Sequence, residues 1–529
     1  MSNWRTFVAD FSGLSQAVVE RLGRKTLAQK LSHDVHTIKR WLKNGEPTHA
    51  EDVGWLLRVA LQNGVDVDRF QSFTPIYKLS TDSNYELNLN TDLPDLNWLL
   101  KVQRPPEIGA KFCGIPLPSP LGLSASPLTA NESWLAIALG LGYGLCTLKT
   151  RRTSQWSPHV PPQIAYVKTL PDLSQYRSDQ PPEVEVTFTR SEVAGFIPNL
   201  VNSLGIPSEN PSDWRATYER ISRLEGGKYV GISVLGDGED EASFLADWDT
   251  AVARARECRP AFVELNFSCP NLTGRPDIVG DQELVRRVCA RAASLLKDHG
   301  IPLVIKLPHM TKGELREILR ASAGFAQGLT LRNTLRVRPV EIEPNGGKKI
   351  PAFKGREHGG LSGPCTYPLT IAGLRDALEL RQELGLDFDV LVAGGVAKAA
   401  DVVELLNYGA AASVNVTVQA TNAAIFDPLL AWKLRFHLEQ AHLAPRSVRA
   451  EEMLSARDSV EITSLKNAIL AQHRINTKPR SSLNVSDKTL LRAWNSYVLE
   501  RSRVEIGKPA KAGPARSVED WITLFISEK

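Results

Sequence analysis

The chain has 529 residues, 42% of them hydrophobic, and a formal net charge of +4. That length exceeds what one hydrophobic core accommodates, so two or three domains are expected. A charge this close to balance excludes a globally polyanion-binding surface and leaves room only for a local basic patch.

Residues 1–79 carry apolar side chains at helical spacing over Leu14–Leu22, Thr26–Leu31, Val35–Lys43 and His49–Asn63, which predicts a small all-helical domain. Residues 80–104 are rich in Asp and Asn and read as a linker, with Trp98, Leu99 and Leu100 packing on a neighbour. From 105 to 440, short β-branched or apolar runs alternate with amphipathic stretches. Eight runs are expected as strands: Leu121–Ala125, Tyr143–Lys149, Tyr229–Leu235, Phe262–Phe267, Leu303–Leu307, Gly328–Arg332, Val390–Gly394 and Ser413–Thr417. The predicted fold class is α/β, a (β/α)8 TIM barrel, with a doubly wound sheet as the rival. Polar residues at the C-terminal ends of nearly all the runs favour the barrel, which gathers its site there. Residues 441–529 read as a helical C-terminal extension for packing or oligomer contact, and a homodimer is expected.

The six cysteines are scattered and form no Cys-x-x-Cys pair, which excludes a local zinc knuckle or a cysteine-rich iron–sulfur motif. Few, unpaired thiols suit a reducing cytoplasm. The start shows no secretory pattern and no apolar run is long enough to span a bilayer, so a cytoplasmic protein without membrane contact is expected. No metal constellation is read; His309 and His358 lie near site loops, but a lone histidine is more often structural or solvated.

The richest stretch is Glu264-Leu-Asn-Phe-Ser-Cys-Pro-Asn271, a buried strand running into a turn that brings a thiol, Cys269, between two amides, Asn266 and Asn271. Four amides, Asn202, Asn266, Asn271 and Asn333, and the hydroxyl of Thr334 suit a uracil-type ring, which alternates N–H donors and C=O acceptors around its edge. Lys149 and Lys306 sit at strand ends, where a buried ammonium needs a counter-charge.

The motifs Leu-Asn-Phe-Ser-Cys-Pro-Asn, Ile-Lys-Leu-Pro, Arg-Asn-Thr, Gly-Gly-Leu-Ser-Gly and Ala-Gly-Gly-Val, in this order, resemble those of the dihydroorotate dehydrogenase family over residues 108–440. The flavin domain of dihydropyrimidine dehydrogenase is a more distant likeness; dihydrouridine synthases space their cysteine motif differently. The resemblance implies FMN as cofactor and dihydroorotate or a close dihydropyrimidine as substrate. It also implies Cys269 as the base and a non-membrane electron acceptor, such as fumarate or a partner subunit. It assigns the substrate to Asn202, Leu204, Gly205, Ile206, Asn266, Asn271, Asn333 and Thr334, with the substrate carboxylate on the 204–206 backbone. It assigns the cofactor to Ala125, Ser126, Lys149, Thr150, Asn266, Lys306, Gly363, Gly394, Gly395 and Thr417. Three residues depart from the family pattern: Ser126, Val416 before Thr417, and Arg332, which replaces an apolar residue.

Leu27–Leu31, the turn Ser32–Asp34 and Val35–Leu42 resemble a phage-repressor-like helix-turn-helix. In such a unit Ala28 lies at the helix crossing, Asp34 caps the second helix, Ile38 and Trp41 face the core and Gly45 ends it. His36, Lys39, Arg40 and Lys43 then point outward, toward bases or phosphates. Two readings stay open: an FMN oxidoreductase, or a DNA-binding regulator whose flavin barrel senses pyrimidine or redox state. A helical bundle used only for docking is the plainer reading of residues 1–79.

Overall fold

The computed structural model describes residues 7–71, 76–77, 79, 93–268, 278–343 and 347–443. Cys269, Asn271, residues 80–92 and nearly all of the expected 441–529 extension lie outside the described residues. The chain divides into two units, Met1–His437 and Leu438–Lys529.

Four helices open the first unit: α1 (Phe11–Leu22), α2 (Arg24–Lys30), α3 (Val35–Asn44) and α4 (Ala50–Gln62). Asp10 caps α1 through the N–H of Gly13, and Asp34 caps α3 through the N–H of Thr37, each at 2.7 Å. That bond holds the Asp34 carboxyl below its ordinary pKa. Gly45 ends α3 in the left-handed region, φ 71°, its N–H closing on the Trp41 carbonyl. Leu27 and Ala28 of α2 and Ile38 and Trp41 of α3 are buried. His33, between them, is half-buried: Nε2 meets Asp52 Oδ1 at 2.8 Å and the ring stands edge-on to Trp41.

The segment expected as linker ends in a packed element. Residues Leu93–Val102 form 3-10 turns with Trp98 and Leu99 buried, Trp98 against Phe7, whereas Leu100 is exposed. The Trp98 carbonyl approaches α4 so closely that a Cβ at Gly54 would lie 2.1 Å from it.

Sixteen strands follow among the described residues. A hairpin of β1 (Ala110–Phe112) and β2 (Ile115–Leu117) comes first. The closed barrel comprises β3 (Leu121–Leu123), β4 (Leu145–Arg152), β8 (Val230–Leu235), β9 (Val263–Asn266), β10 (Leu303–Leu307), β11 (Gly328–Leu331), β15 (Asp389–Ala393) and β16 (Val416–Gln419). All its pairings are parallel, and the chain order closes β16 onto β3. The rival doubly wound sheet is thereby excluded. Seven strands fall where the β-branched runs predict. The eighth begins three residues later than expected, because the preceding helix, Ala399–Ala411, ends in a turn that holds Ser413 at φ 56°.

Two excursions from the C-terminal ends of β4 and β11 build a sheet the sequence reading missed. It contains β5 (Ile164–Val167), β6 (Glu183–Thr187), β7 (Leu200–Asn202), β12 (Leu335–Ile342), β13 (Lys349–Pro351) and β14 (Gly359–Ser362), in the order 13-12-14-7-5-6. Its own core includes Val184, Val201, Leu335, Phe353 and Leu361. At the opposite end Phe112 and Leu117 of the hairpin pack with Leu145, Phe262, Val304 and Leu391, and close the barrel floor. No helix among the described residues is long and apolar enough to cross a membrane.

Candidate active site

The C-terminal ends of the barrel strands and the edge of the six-stranded sheet line an open cavity. Each functional side chain is placed there by a local device. The β4–β8 pairing shifts register between Leu148 and Arg151, and this bulge turns Lys149 and Thr150 toward the cavity. Asn266 is the last residue of β9. Its Nδ2 donates to Thr150 Oγ1 at 3.0 Å, and Thr150 Oγ1 lies 3.0 Å from Ser233 Oγ. Asn266 Oδ1 accepts from the N–H and the hydroxyl of Ser268, at 3.1 and 3.0 Å. Ser268, the last described residue before Cys269, is therefore pinned to Asn266 at the cavity wall. Asn333 Nδ2 donates to the carbonyl of Ser268, and its Oδ1 accepts from the N–H of Thr334.

Asn202 enters from the other layer. It ends β7, pairs with Gly360 of β14, and donates to the Gly360 carbonyl at 3.1 Å. A Cβ at Gly360 would lie 2.2 Å from Thr334 Oγ1, so the missing side chain lets Thr334 and Asn202 approach each other. Leu204, Gly205 and Ile206 follow on the same wall, with Gly205 at φ 72°. His159 Nδ1 and Arg356 Nη1 both engage the Ser203 carbonyl and steady that loop.

Of the residues expected here, Ala125, Ser126, Lys149, Thr150, Asn202, Leu204, Gly205, Ile206, Asn266, Lys306, Asn333, Thr334, Gly363, Gly394 and Gly395 line this one cavity. Cys269 and Asn271 lie outside the described residues. Thr417 does not line it and is corrected: it sits mid-strand, one layer deeper, fully buried. Because β16 runs on to residue 419, Gln419 and the following Thr421 and Asn422 take the place expected for Thr417. The alternation Val414, Val416, Val418 was the signal that extends the strand.

Charge in the cavity is one-sided. Lys306 is 3% exposed and forms no ion pair among the described residues. Arg332, which the sequence marks only as a departure from the family pattern, is 5% exposed. Its Nη1 donates to His309 Nδ1 at 2.7 Å, and its Nη2 to the Thr366 carbonyl at 2.7 Å and to Thr370 Oγ1 at 3.2 Å. Burial without a carboxylate lowers the Arg332 pKa to about 10. Burial, reinforced by Arg332, drives that of His309 down to about 4, so the ring is neutral and accepts at Nδ1. Two polar atoms at the wall, Gln419 Oε1 and Asn422 Nδ2, are buried without a bonding partner, the mark of a wall built to meet a polar ligand.

Comparison with known proteins meets these observations. Residues 190–431 match the family described as dihydroorotate dehydrogenase. A dihydroorotate dehydrogenase of Dictyostelium discoideum is 27% identical over 378 residues, 68% of this chain and 96% of that protein. The catalytic subunit of dihydroorotate dehydrogenase B (NAD(+)) of Methanocella arvoryzae is 34% identical over 215 residues, 40% of this chain and 63% of that protein. The NAD-dependent dihydropyrimidine dehydrogenase subunit PreA of Escherichia coli K12 is 25% identical over 316 residues, 58% of this chain and 66% of that protein. The barrel is similar to that of dihydroorotate dehydrogenases, and the chain is an oxidoreductase.

Proposed function

We propose that the chain uses FMN to oxidise dihydroorotate, or a closely related dihydropyrimidine, to the unsaturated ring. The observation that carries this reading is the buried Lys306, with no ion pair among the described residues, in a cavity whose other polar lining includes Lys149, Arg332 and several neutral amides and hydroxyls. Such a wall fits a flat polar heterocycle, and a buried ammonium fits an anionic ring system beside it. The orphaned Gln419 and Asn422 atoms, and three wall glycines at positive φ, Gly363, Gly394 and Gly395, fit the rest of a flavin nucleotide. When bound, FMN supplies the hydride acceptor.

The protein's own part is orientation and proton transfer. Asn202, Asn266, Asn271 and Asn333 hold the ring edge, and Thr334 adds a hydroxyl. The backbone N–H groups at 204–206 receive the substrate carboxylate. Cys269 takes a proton from the ring carbon next to the one that loses hydride. A free thiol titrates near 8.5, so a thiolate fraction is present at neutrality. Mixing the full-length flavoprotein with dihydroorotate without an acceptor tests this: the flavin absorbance bleaches. Cys269→Ala keeps its flavin and slows that bleaching by about 10²-fold or more, as loss of a general base does. Unchanged bleaching in the variant removes Cys269 from the role.

A second activity is supported by the outer face of α3. His36, Lys39, Arg40 and Lys43 are all exposed on a helix whose inner face, Ile38 and Trp41, is fully buried. We infer that this face contacts a nucleic-acid duplex. Mobility shifts with duplex DNA should weaken as salt rises and weaken further in Lys39→Glu/Arg40→Glu. Retention of affinity in that double variant returns α1–α4 to a docking role.

A further inference from the structure

Arg332 is a full charge satisfied only by dipoles. Its three acceptors, His309 Nδ1, the Thr366 carbonyl and Thr370 Oγ1, are neutral, and no carboxylate bonds to it among the described residues. Two of them belong to the first turn of the helix Tyr367–Glu383 and its cap, Thr366. A helix N-terminus carries partial positive charge, so a guanidinium held there is repelled unless an anion joins them. Its Nε–H bonds to no group among the described residues and lies toward Gly394, where a Cβ would come within 3.8 Å of it. Gly394 and Gly395 have φ of 122° and 76°, and a Cβ at Gly395 would strike the Tyr367 nitrogen at 2.3 Å. The turn after β15 thus presses against the helix start. The backbone explains the placement: Arg332 N–H bonds to the Ala393 carbonyl, whereas Asn333 N–H bonds to that of Leu307. Consecutive residues therefore lean to opposite sides, Asn333 toward the amide-lined wall and Arg332 toward the glycine turn.

We propose that Arg332, the Gly394–Gly395 turn and the start of helix Tyr367–Glu383 form a charged seat for a phosphate monoester. In the reading above, on which this inference rests, that group is the phosphate of FMN. Arg332 thereby selects a flavin nucleotide over the uncharged riboflavin.

The test titrates the full chain, stripped of flavin, with FMN and with riboflavin, in the native protein and in Arg332→Gln and Arg332→Lys. Native protein prefers FMN. Arg332→Gln weakens FMN binding on the order of tenfold to a hundredfold, the worth of a charge-assisted hydrogen bond, and leaves riboflavin within about twofold. Arg332→Lys restores part of the FMN preference. Equal weakening of both ligands in Arg332→Gln makes Arg332 a clip between β11 and the helix and overturns the proposal. No weakening of either also overturns it; in both cases the flavin reading stands. Native protein that binds neither flavin sinks the flavin reading and this inference together.

Discussion

Two buried cations, Lys306 and Arg332, face one cavity, and their neighbours explain how the fold tolerates them. Lys306 lines a cavity whose wall also holds amides and hydroxyls; Arg332 is spread over three neutral acceptors. The arrangement depends on a neutral His309. In the unfolded chain His309 takes up its proton below its ordinary 6.5, whereas in the folded protein it does so only near 4. Between those values the unfolded state binds more protons, so stability contributed by this ring is complete above 6.5 and is lost as pH falls toward 4. Melting temperature should decline across that window, and His309→Gln, which can still accept from Arg332, should flatten the decline. A slope unaltered by the substitution would assign it to other groups. At this scale the sequence was legible where chemistry sits in one run. Asn266, Lys306 and Asn333-Thr334 could be read from their own motifs. The surroundings of Arg332 could not, because its partners come from two other segments, at 309 and at 366–370.

Secondary structure follows the same division. Barrel strands are continuous β-branched runs, buried on both faces, and such runs stand out in a sequence. The strands of the six-stranded sheet are mostly three to five residues long and interrupted by polar turns, so they read as loops. Yet that sheet carries Asn202, and its β14 sets the distance between Asn202 and Thr334 through a glycine. Gly360→Ala should push the Thr334 hydroxyl aside. The expected result is a loss on the order of 10- to 100-fold in kcat/KM for dihydropyrimidine, since small misplacements of positioning groups are costly. Flavin content, read from absorbance, should be unchanged; a variant that loses flavin as well would mean the sheet itself had moved.

The four N-terminal helices and the barrel belong to one unit, and an ion cluster with a buried Asp427 and an exposed Asp68 joins them. Lys433, on the helix Leu430–Leu443, meets Asp68 just after α4, and Asp427 at 2.6 Å and Gln71 Oε1 at 2.9 Å. Removing the ammonium leaves Asp427 buried and unpaired. Lys433→Met should therefore cost roughly 3 kcal/mol or more of stability, measured by denaturant unfolding. A loss below about 1 kcal/mol, typical of exposed pairs, would show that water reaches the cluster. This union was not legible in the sequence, since none of these residues has a pattern that names its partner. It carries over to the cavity itself: the Ile76 N–H bonds to the Ile425 carbonyl at 2.8 Å, and Tyr77 lines the wall beside it. Cutting away the first 79 residues to obtain a cleaner enzyme would thus breach the very chamber the enzyme works in, and anything that tugged on the helices would be felt, through one tyrosine, where the chemistry is done.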